Sequence, residues 1–156
     1  MTNPLPVAIR RIRADETEHV AALWRRSRIA AHPALAERVP HSAAEDLQHF
    51  RGAILRECEV WVAERDGIVA GFAGLAGDLV GYLYVDPPAQ RRGIGTVLLD
   101  HAKARSPSGL RLFTYEANQG ARAFYARHGF RVVRSGVSPP PESEPDVELA
   151  WTPPRG

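Results

Sequence analysis

Apolar and polar positions alternate along this chain with two periods, one typical of helices and one typical of strands. Val20, Leu23 and Trp24 recur at the spacing of a buried helical face, and a second such face spans residues 47–54. Apolar runs rich in β-branched residues predict strands. Strands are predicted over residues 7–13, 59–65, 68–76, 79–85, 110–115, 131–135 and 147–151, and two more helices from residue 94 and over residues 118–128. The stretch 136–146 is rich in proline and acid, so it is predicted to be a loop.

Local capping and turn signals support this order of elements. Asp15 with Glu18, and Ser42 with Glu45, have the spacing of helix capping boxes. Asp66-Gly67 favours a type I′ hairpin between two of the strands. The resulting order is β-α-α-β-β-β-α-β-α-β-β. It indicates an α+β fold (mixed α/β) with a central twisted mixed sheet and helices on both faces.

Length, charge and cysteine content narrow the class of protein. A chain of 156 residues that is 44% hydrophobic and 24% charged fits one globular domain over residues 1–156. The formal net charge of +2 is too small to indicate nucleic acid as a partner. We find neither an apolar run long enough to span a membrane nor a signal peptide at the start of the sequence. The single cysteine, Cys58, fits a reducing compartment, so a cytoplasmic location is expected.

A glycine-rich turn follows the predicted strand 79–85 and opens the next helix. It has the sequence Gln90-Arg91-Arg92-Gly93-Ile94-Gly95. Backbone N–H groups at a helix N-terminus, unhindered by side chains, favour an anion, and the two arginines favour a diphosphate. A dinucleotide-binding fingerprint would need a third glycine, and a nucleotide phosphate loop would need Gly-Lys-Ser/Thr after its last glycine. Neither follows here, so a nucleotide-binding α/β domain is disfavoured.

A second motif follows the predicted strand 110–115. The pattern Asn-x-x-Ala-x-x-Phe-Tyr-x-x-x-Gly-Phe is matched by Asn118, Ala121, Phe124, Tyr125, Gly129 and Phe130. Together with Gln90-x-x-Gly93-x-Gly95, in this order, it resembles the GCN5-related N-acetyltransferase (GNAT) superfamily. The resemblance covers residues 61–130 well. It implies a sheet in which the fourth and fifth strands splay apart, with coenzyme A between them.

The resemblance also implies a reaction and a donor site. Acetyl would pass from acetyl-CoA to a primary amine by direct attack in a ternary complex, with no metal. Leu83, Tyr84 and Val85 would pair with the pantetheine arm, as an added strand does. The diphosphate would lie on the turn that begins at Gln90. The residues implied for cofactor binding are Leu83, Tyr84, Val85, Gln90, Arg91, Arg92, Gly93, Ile94, Gly95, Thr96, Asn118 and Tyr125.

Tyr125 is the catalytic acid that the resemblance implies. A phenol with a pKa of about 10 is protonated at neutral pH and can supply a proton to a thiolate whose conjugate acid has a pKa of about 8.5. Glu116, after the fifth strand, is the first candidate for the general base. The other candidates for a base or an acceptor contact are Tyr84, Asp86, His32 and His41.

Several alternatives stay open at this point. The acceptor is a small amine or a protein amino group, and an N-terminal protein acetyltransferase is a further interpretation. A catalytically silent acyl-CoA sensor or scaffold of the same fold is the alternative from another class. Trp151 looks exposed, which gives slight support for a homodimer through the last strand. Arg91 departs from the family, because many relatives carry glycine at this position.

Overall fold

Seven strands form one mixed sheet in the computed structural model, which describes residues 6–155. The strands are β1 (Ala8–Arg11), β2 (Glu59–Arg65), β3 (Ile68–Ala76), β4 (Leu79–Val85), β5 (Leu110–Tyr115), β6 (Arg131–Val137) and β7 (Pro145–Trp151). Their order across the sheet is β1-β2-β3-β4-β5-β7-β6. Only β4 and β5 run parallel to each other, and the other neighbours are antiparallel. The predicted bounds of β2, β3, β4 and β5 are confirmed.

Within residues 6–155, six α-helices connect the strands. They are α1 (Thr17–Ala31), α2 (Pro33–Arg38), α3 (Ala43–His49), α4 (Leu55–Glu57), α5 (Ile94–Arg105) and α6 (Gln119–Arg127), and a π-helical turn (Phe50–Ile54) joins α3 to α4. The predicted Ser42–Glu45 capping box is confirmed, with 3.0 Å hydrogen bonds in both directions. No helix among the described residues is long and apolar enough to cross a membrane.

The sheet buries an apolar layer on each face, as the α+β prediction requires. One apolar layer, which contains Val60, Val62 and Phe72, faces α1 and the π-helical turn. The other layer lies beneath α5 and α6 and contains Ala63 and Ala73. This alternation follows from the two-residue period of strands. The α1 layer is rich in large rings, because Trp24, Phe50 and Phe72 are all nearly inaccessible to solvent.

β4 and β5 part after a short region of pairing. Only Leu79–Arg111 and Val80–Leu112 are paired between them. Beyond that point β4 stays paired with β3 as far as Val85, and β5 stays paired with β7 as far as Tyr115. The two strands therefore enclose an open wedge, which we call the β4–β5 wedge, at the end that leads into the glycine-rich turn.

The prediction of an Asp15–Glu18 capping box is wrong. Asp15 lies inside a 3₁₀ turn, and α1 begins after it at Thr17. Glu16 instead accepts a 2.9 Å hydrogen bond from the Arg13 backbone N–H and pairs with Arg10 of β1 at 2.7 Å. The hydrogen bond from Arg10 lowers the pKa of Glu16 to about 2. This contact between elements, which local spacing cannot reveal, decides where the helix starts.

The C-terminal strands also differ from the prediction. β6 and β7 are longer than expected, so the loop between them shrinks to residues 138–144. β7 lies inside the sheet between β5 and β6, and Trp151 packs against Gly129 and beneath the ammonium of Lys103, 4.8 Å from its ring centre. The expectation of an exposed Trp151 is therefore wrong. β6 is the open edge, with all seven residues exposed, and the homodimer stays a prediction.

Candidate active site

A cavity of about 160 Å³ opens at the β4–β5 wedge on the face covered by α1. Tyr84 from β4 and Tyr115 from β5 form its inner wall. α1, α2 and the chain after α2 form the opposite wall, and Glu142 of the β6–β7 loop completes the ring. The remaining lining residues are Arg25, Arg28, Ile29, His32, Leu35, Ala36, Val39, Pro40 and His41.

Tyr84 anchors the inner wall of this cavity. Its ring stacks on Phe72, with ring centres 5.9 Å apart and planes 20° from parallel. Burial raises the pKa of Tyr84, and the nearby Arg28 guanidinium opposes that rise. The phenol therefore stays protonated at neutral pH.

Tyr125 approaches the wedge from the other face of the sheet. It is 8% exposed and packs between Phe124 and Phe130, whose ring centres lie 5.2 and 5.5 Å away. Burial raises the pKa of Tyr125 well above that of a free phenol, and the neighbouring Tyr84 adds to the rise. Tyr125 belongs to the apolar layer beneath α5 and α6, against which Leu83 and Val85 of β4 also pack. A buried, protonated phenol is suited to donating a proton.

The edge of β4 that faces the wedge offers backbone hydrogen-bonding groups. The Asp86 N–H donates to the Ala70 carbonyl of β3 at 2.8 Å. Along a strand, successive residues direct their backbone groups to opposite sides. Leu83 and Val85 are an odd number of residues from Asp86, so their backbone groups are directed toward the wedge. The Val85 carbonyl already accepts hydrogen bonds from Ser27 Oγ and Gln90 Nε2, both at 3.1 Å. The Leu83 groups and the Val85 N–H therefore remain for a ligand strand.

The glycine-rich turn ends in the left-handed region at Gly93, with φ +83°, and α5 begins at the next residue. The N–H groups of the first turn of α5 have no partners within the helix, so they can bind an anion. Arg91 and Arg92 are exposed, and neither forms an ion pair within residues 6–155. Thr96 Oγ1 lies 3.3 Å from Nε2 of His128. The turn thus combines unpaired positive charge with free N–H groups.

Asn118 has two roles at the start of α6. Its Oδ1 accepts a 3.1 Å hydrogen bond from the Ala121 N–H, which confirms it as a helix N-cap. Its Nδ2 lies 3.4 Å from Nε2 of His32, which comes from the other side of the wedge. His32 also meets the Tyr115 ring edge-on, with ring centres 4.8 Å apart. Burial lowers the pKa of His32, although the nearby Glu144 opposes the shift.

The cavity is closed where the β6–β7 loop contacts α2 and the segment that follows α2. Arg38 donates a 2.7 Å hydrogen bond to the Glu142 carbonyl and also pairs with Glu144. His41 Nε2 lies 3.4 Å from a Glu142 carboxylate oxygen. Burial raises the pKa of Tyr115, and the carboxylate of Glu142, which lines the same cavity, adds to the rise.

The two arginines of the cavity are held by one buried carboxylate. Asp46, 3% exposed, accepts hydrogen bonds from Arg25 at 2.7 Å and from Arg28 at 2.8 Å. Burial alone would raise the pKa of Asp46, but the hydrogen bonds from Arg28 and Arg25 outweigh it and lower the pKa. This network fixes the guanidinium groups in the cavity wall.

The sequence candidates for the base occupy three kinds of place. Glu116 is exposed after β5, donates its N–H to the Pro145 carbonyl at 2.9 Å, and is absent from the cavity lining. Asp86 is bound by Arg26, with its shorter contact at 2.9 Å. Tyr84, His32 and His41 all line the cavity.

Sequence reasoning missed four of the polar residues that line the cavity, namely Tyr115, Glu142, Arg25 and Arg28. Of these four residues, only Tyr115 has a local sequence signal, because it is the last residue of a predicted strand. Glu142 lies in a loop, and Arg25 and Arg28 lie on a helix with many charged residues, so nothing local distinguishes them.

Comparisons with known proteins agree with this geometry. A family profile described as an acetyltransferase (GNAT) domain matches residues 56–132. The chain is 36% identical over 148 residues to the peptidyl-lysine N-acetyltransferase YjaB of Escherichia coli strain K12, covering 93% of this chain and 97% of YjaB.

Solved structures show the same fold. The solution structure of apo YjaB from Escherichia coli superposes with a TM-score of 0.80 at 32% identity, covering 94% of this chain and 98% of that one. The PaiA N-acetyltransferase of Thermoplasma acidophilum, solved with coenzyme A, superposes with a TM-score of 0.69 and covers 95% of this chain and 99% of PaiA. At 18% identity, PaiA shows a shared fold alone.

Proposed function

The chain belongs to the GNAT family of N-acetyltransferases, and from this premise we propose that it acetylates the side-chain amine of lysine in proteins or peptides, with acetyl-CoA as donor. The β4–β5 wedge carries the proposal, because it joins a donor edge on β4 to a separate cavity for an acceptor. The lysine acceptor is supported by the similarity to YjaB, which is named a peptidyl-lysine N-acetyltransferase.

The donor site is proposed on groups that fit a pantetheine diphosphate. The Leu83 backbone groups would pair with the pantetheine arm as an added strand, which leaves the Val85 N–H for the thioester. The N–H groups at Ile94, Gly95 and Thr96, which follow the left-handed Gly93, would hold the diphosphate. Exposed Arg91 and Arg92 would add positive charge. Gln90 would act indirectly, because its side chain holds the Val85 carbonyl.

Catalysis is proposed to use direct attack of the amine on the thioester. The Val85 N–H would donate to the thioester carbonyl oxygen, where negative charge develops. Tyr125 would give its proton to the departing thiolate, because burial keeps its phenol protonated at neutral pH. Asn118, held between the α6 N-terminus and His32, would contact the pantetheine arm or an ordered water.

Glu116 remains the candidate base from sequence. Its exposed position after β5 would let it receive the proton only from an acceptor that reaches past the cavity rim. The variant Glu116→Gln tests this role directly. Loss of turnover with unchanged acetyl-CoA affinity would support Glu116 as the base.

The acceptor is tested by two matched peptides. Acetyl-CoA binding is measured by calorimetry, and turnover is then followed by mass spectrometry of one peptide with a free lysine and a blocked N-terminus. The second peptide has a free N-terminus and its lysine blocked. We expect acetylation of the first peptide only. Acetylation of the second alone would overturn the lysine proposal in favour of an N-terminal acetyltransferase, and binding without turnover of either would favour a sensor.

A cytoplasmic location is proposed on the cysteine content. Cys58 is the one cysteine of the chain, and burial raises the pKa of its thiol, which suits an inert, reduced side chain. Fractionation of cells that make the tagged protein tests the location, since recovery in the soluble cytoplasmic fraction is expected.

A further inference from the structure

Glu142 supplies the one carboxylate among the described residues that line the acceptor cavity. Its side chain is 30% exposed, so a ligand that enters from solvent can reach it. It lines the same cavity as Tyr84 and Tyr115, the two tyrosines of the inner wall. A cationic acceptor would therefore meet this carboxylate on its way to the thioester.

The carboxylate of Glu142 lacks a permanent cationic partner within residues 6–155. The nearby arginines are otherwise engaged, because Arg25 and Arg28 share Asp46, and Arg38 binds Glu144. Arg38 reaches only the backbone carbonyl of Glu142, at 2.7 Å. The single side-chain neighbour in hydrogen-bond range is His41, at 3.4 Å. An unpaired carboxylate beside an apolar wall suits the ammonium of an alkyl amine.

We propose, resting on the lysine acceptor above, that Glu142 binds the acceptor ammonium and accepts its proton, with His41 as the positioning residue for the carboxylate. One N–H proton passes to Glu142, and the freed lone pair forms the bond to the thioester carbon. The carbon–sulfur bond breaks, and the thiolate takes the Tyr125 proton. The attacking nitrogen loses one of its two remaining protons, which restores Tyr125 and leaves a neutral amide, and Glu142 releases its proton to solvent.

The surroundings of Glu142 are charged on several sides, and each group enters the expected pH dependence. The groups that face the cavity beside it are His41 and His32, Tyr115, and the guanidinium groups of Arg25 and Arg28. Glu144 and Arg38 pair with each other on the outer side of the same loop. Arg25 and Arg28 both pair with Asp46, which holds the two guanidinium groups in place in the cavity wall.

The test compares Glu142→Gln with Glu37→Gln, a matched control on α2 that is exposed and absent from the cavity lining. Kinetics with acetyl-CoA and the lysine peptide are measured from pH 6 to 10 for both variants and the wild type. For Glu142→Gln we expect kcat/KM to fall about 100-fold or more near pH 7. The defect should shrink toward pH 10, where lysine, with a pKa of about 10.4, increasingly loses its own proton. Glu37→Gln should keep most of the activity.

Thermal melting and acetyl-CoA calorimetry of each variant separate folding and donor binding from chemistry. His41→Gln should raise KM for the peptide more than it lowers kcat, because it leaves the carboxylate in place. The proposal is overturned if Glu142→Gln keeps wild-type kcat/KM, or if its defect is equally large at every pH, as a purely structural role predicts. It is also overturned if Glu116→Gln alone shows the pH-dependent loss. Failure of the wild type to acetylate the lysine peptide instead contradicts the proposed function itself.

Discussion

Asn118 Nδ2 lies 3.4 Å from His32 Nε2, and the surrounding contacts fix which atom is the donor. The amide oxygen of Asn118 already accepts from the Ala121 N–H, so the amide nitrogen must face His32. An amide nitrogen can only donate, and Nε2 of His32 must therefore be unprotonated. A neutral imidazole is thus built into the rim of the wedge, next to the proposed donor site.

The variant Asn118→Asp should reverse the protonation preference of His32. Aspartate still caps α6, but it presents an oxygen and a negative charge to Nε2. We expect the pKa of His32, lowered by burial in the wild type, to rise above the usual value of about 6.5. NMR titration of the His32 ring measures the shift, with His128 as an internal control on the far side of α6.

The same substitution makes a prediction for stability against pH. In the wild type the depressed pKa contributes stability that is complete above about pH 6.5 and is lost as pH falls through the folded pKa. In Asn118→Asp the raised pKa contributes stability below about pH 6.5 instead. Melting curves at pH 8 and pH 5 should therefore favour the variant more at pH 5. Parallel changes in the two proteins would contradict a neutral His32.

Tyr125→Phe should separate binding from turnover. The phenylalanine ring keeps the packing between Phe124 and Phe130 and removes only the hydroxyl. We expect kcat to fall by a factor of about 100 or more, because the departing thiolate loses its proton donor, while calorimetry shows acetyl-CoA affinity close to the wild type. Tyr82→Phe is the matched control, since Tyr82 is absent from the cavity lining. Full activity of Tyr125→Phe would remove it as the acid.

Arg91→Gly should stabilise the protein while weakening donor binding. Arg91 has φ +65°, a left-handed conformation that glycine adopts without strain. We expect a gain of about 0.5–1 kcal/mol in the free energy of unfolding. Relief of the backbone strain stabilises the folded state, and the greater conformational freedom of glycine in the unfolded state offsets part of this gain. Acetyl-CoA affinity should fall at low salt and less so at high salt, because one screened charge is removed.

Arg92→Gly is the control for that variant. It removes the same charge from the same turn, but Arg92 is not among the residues with positive φ. We expect it to bind acetyl-CoA more weakly and to gain no stability. Equal melting temperatures for the two variants would show that the conformation of Arg91 is not strained.

The central part of the fold follows from local sequence signals. The strands from Glu59 to Tyr115 and the start of α5 at Ile94 match the prediction, because strand alternation, the Asp66-Gly67 turn and the glycine-rich turn all act over a few residues. The Asp15 cap failed for the opposite reason. Arg10 of β1 binds Glu16 and moves the helix start, and no local spacing records that contact.

The candidate site also has a part that local sequence predicts and a part that it does not. The donor residues lie in two short motifs, so their spacing alone is enough to match them to a family. The acceptor cavity is assembled from distant segments, because His41 and Glu142 are 101 positions apart in sequence. His41 could be nominated from its place between two helices, but nothing in the sequence around Glu142 indicates that the β6–β7 loop packs against α2.

Gly71→Ala should damage both stability and the donor edge. A Cβ atom at Gly71 would lie 2.9 Å from the backbone carbonyl oxygen of Tyr84 and 3.3 Å from Ile94, at the start of α5. Backbone atoms cannot swing away, so β3 and β4 must separate where β4 borders the wedge. We expect a loss of about 1–3 kcal/mol in the free energy of unfolding and weaker acetyl-CoA binding.

Gly52→Ala is the control, because a Cβ atom at Gly52 would meet nothing within 4 Å. This substitution should stabilise the helical segment by about 0.5–1 kcal/mol. Urea unfolding and calorimetry of both variants decide the matter. A Gly71→Ala protein with unchanged stability and affinity would show that the close approach of β3 to β4 does not shape the donor edge.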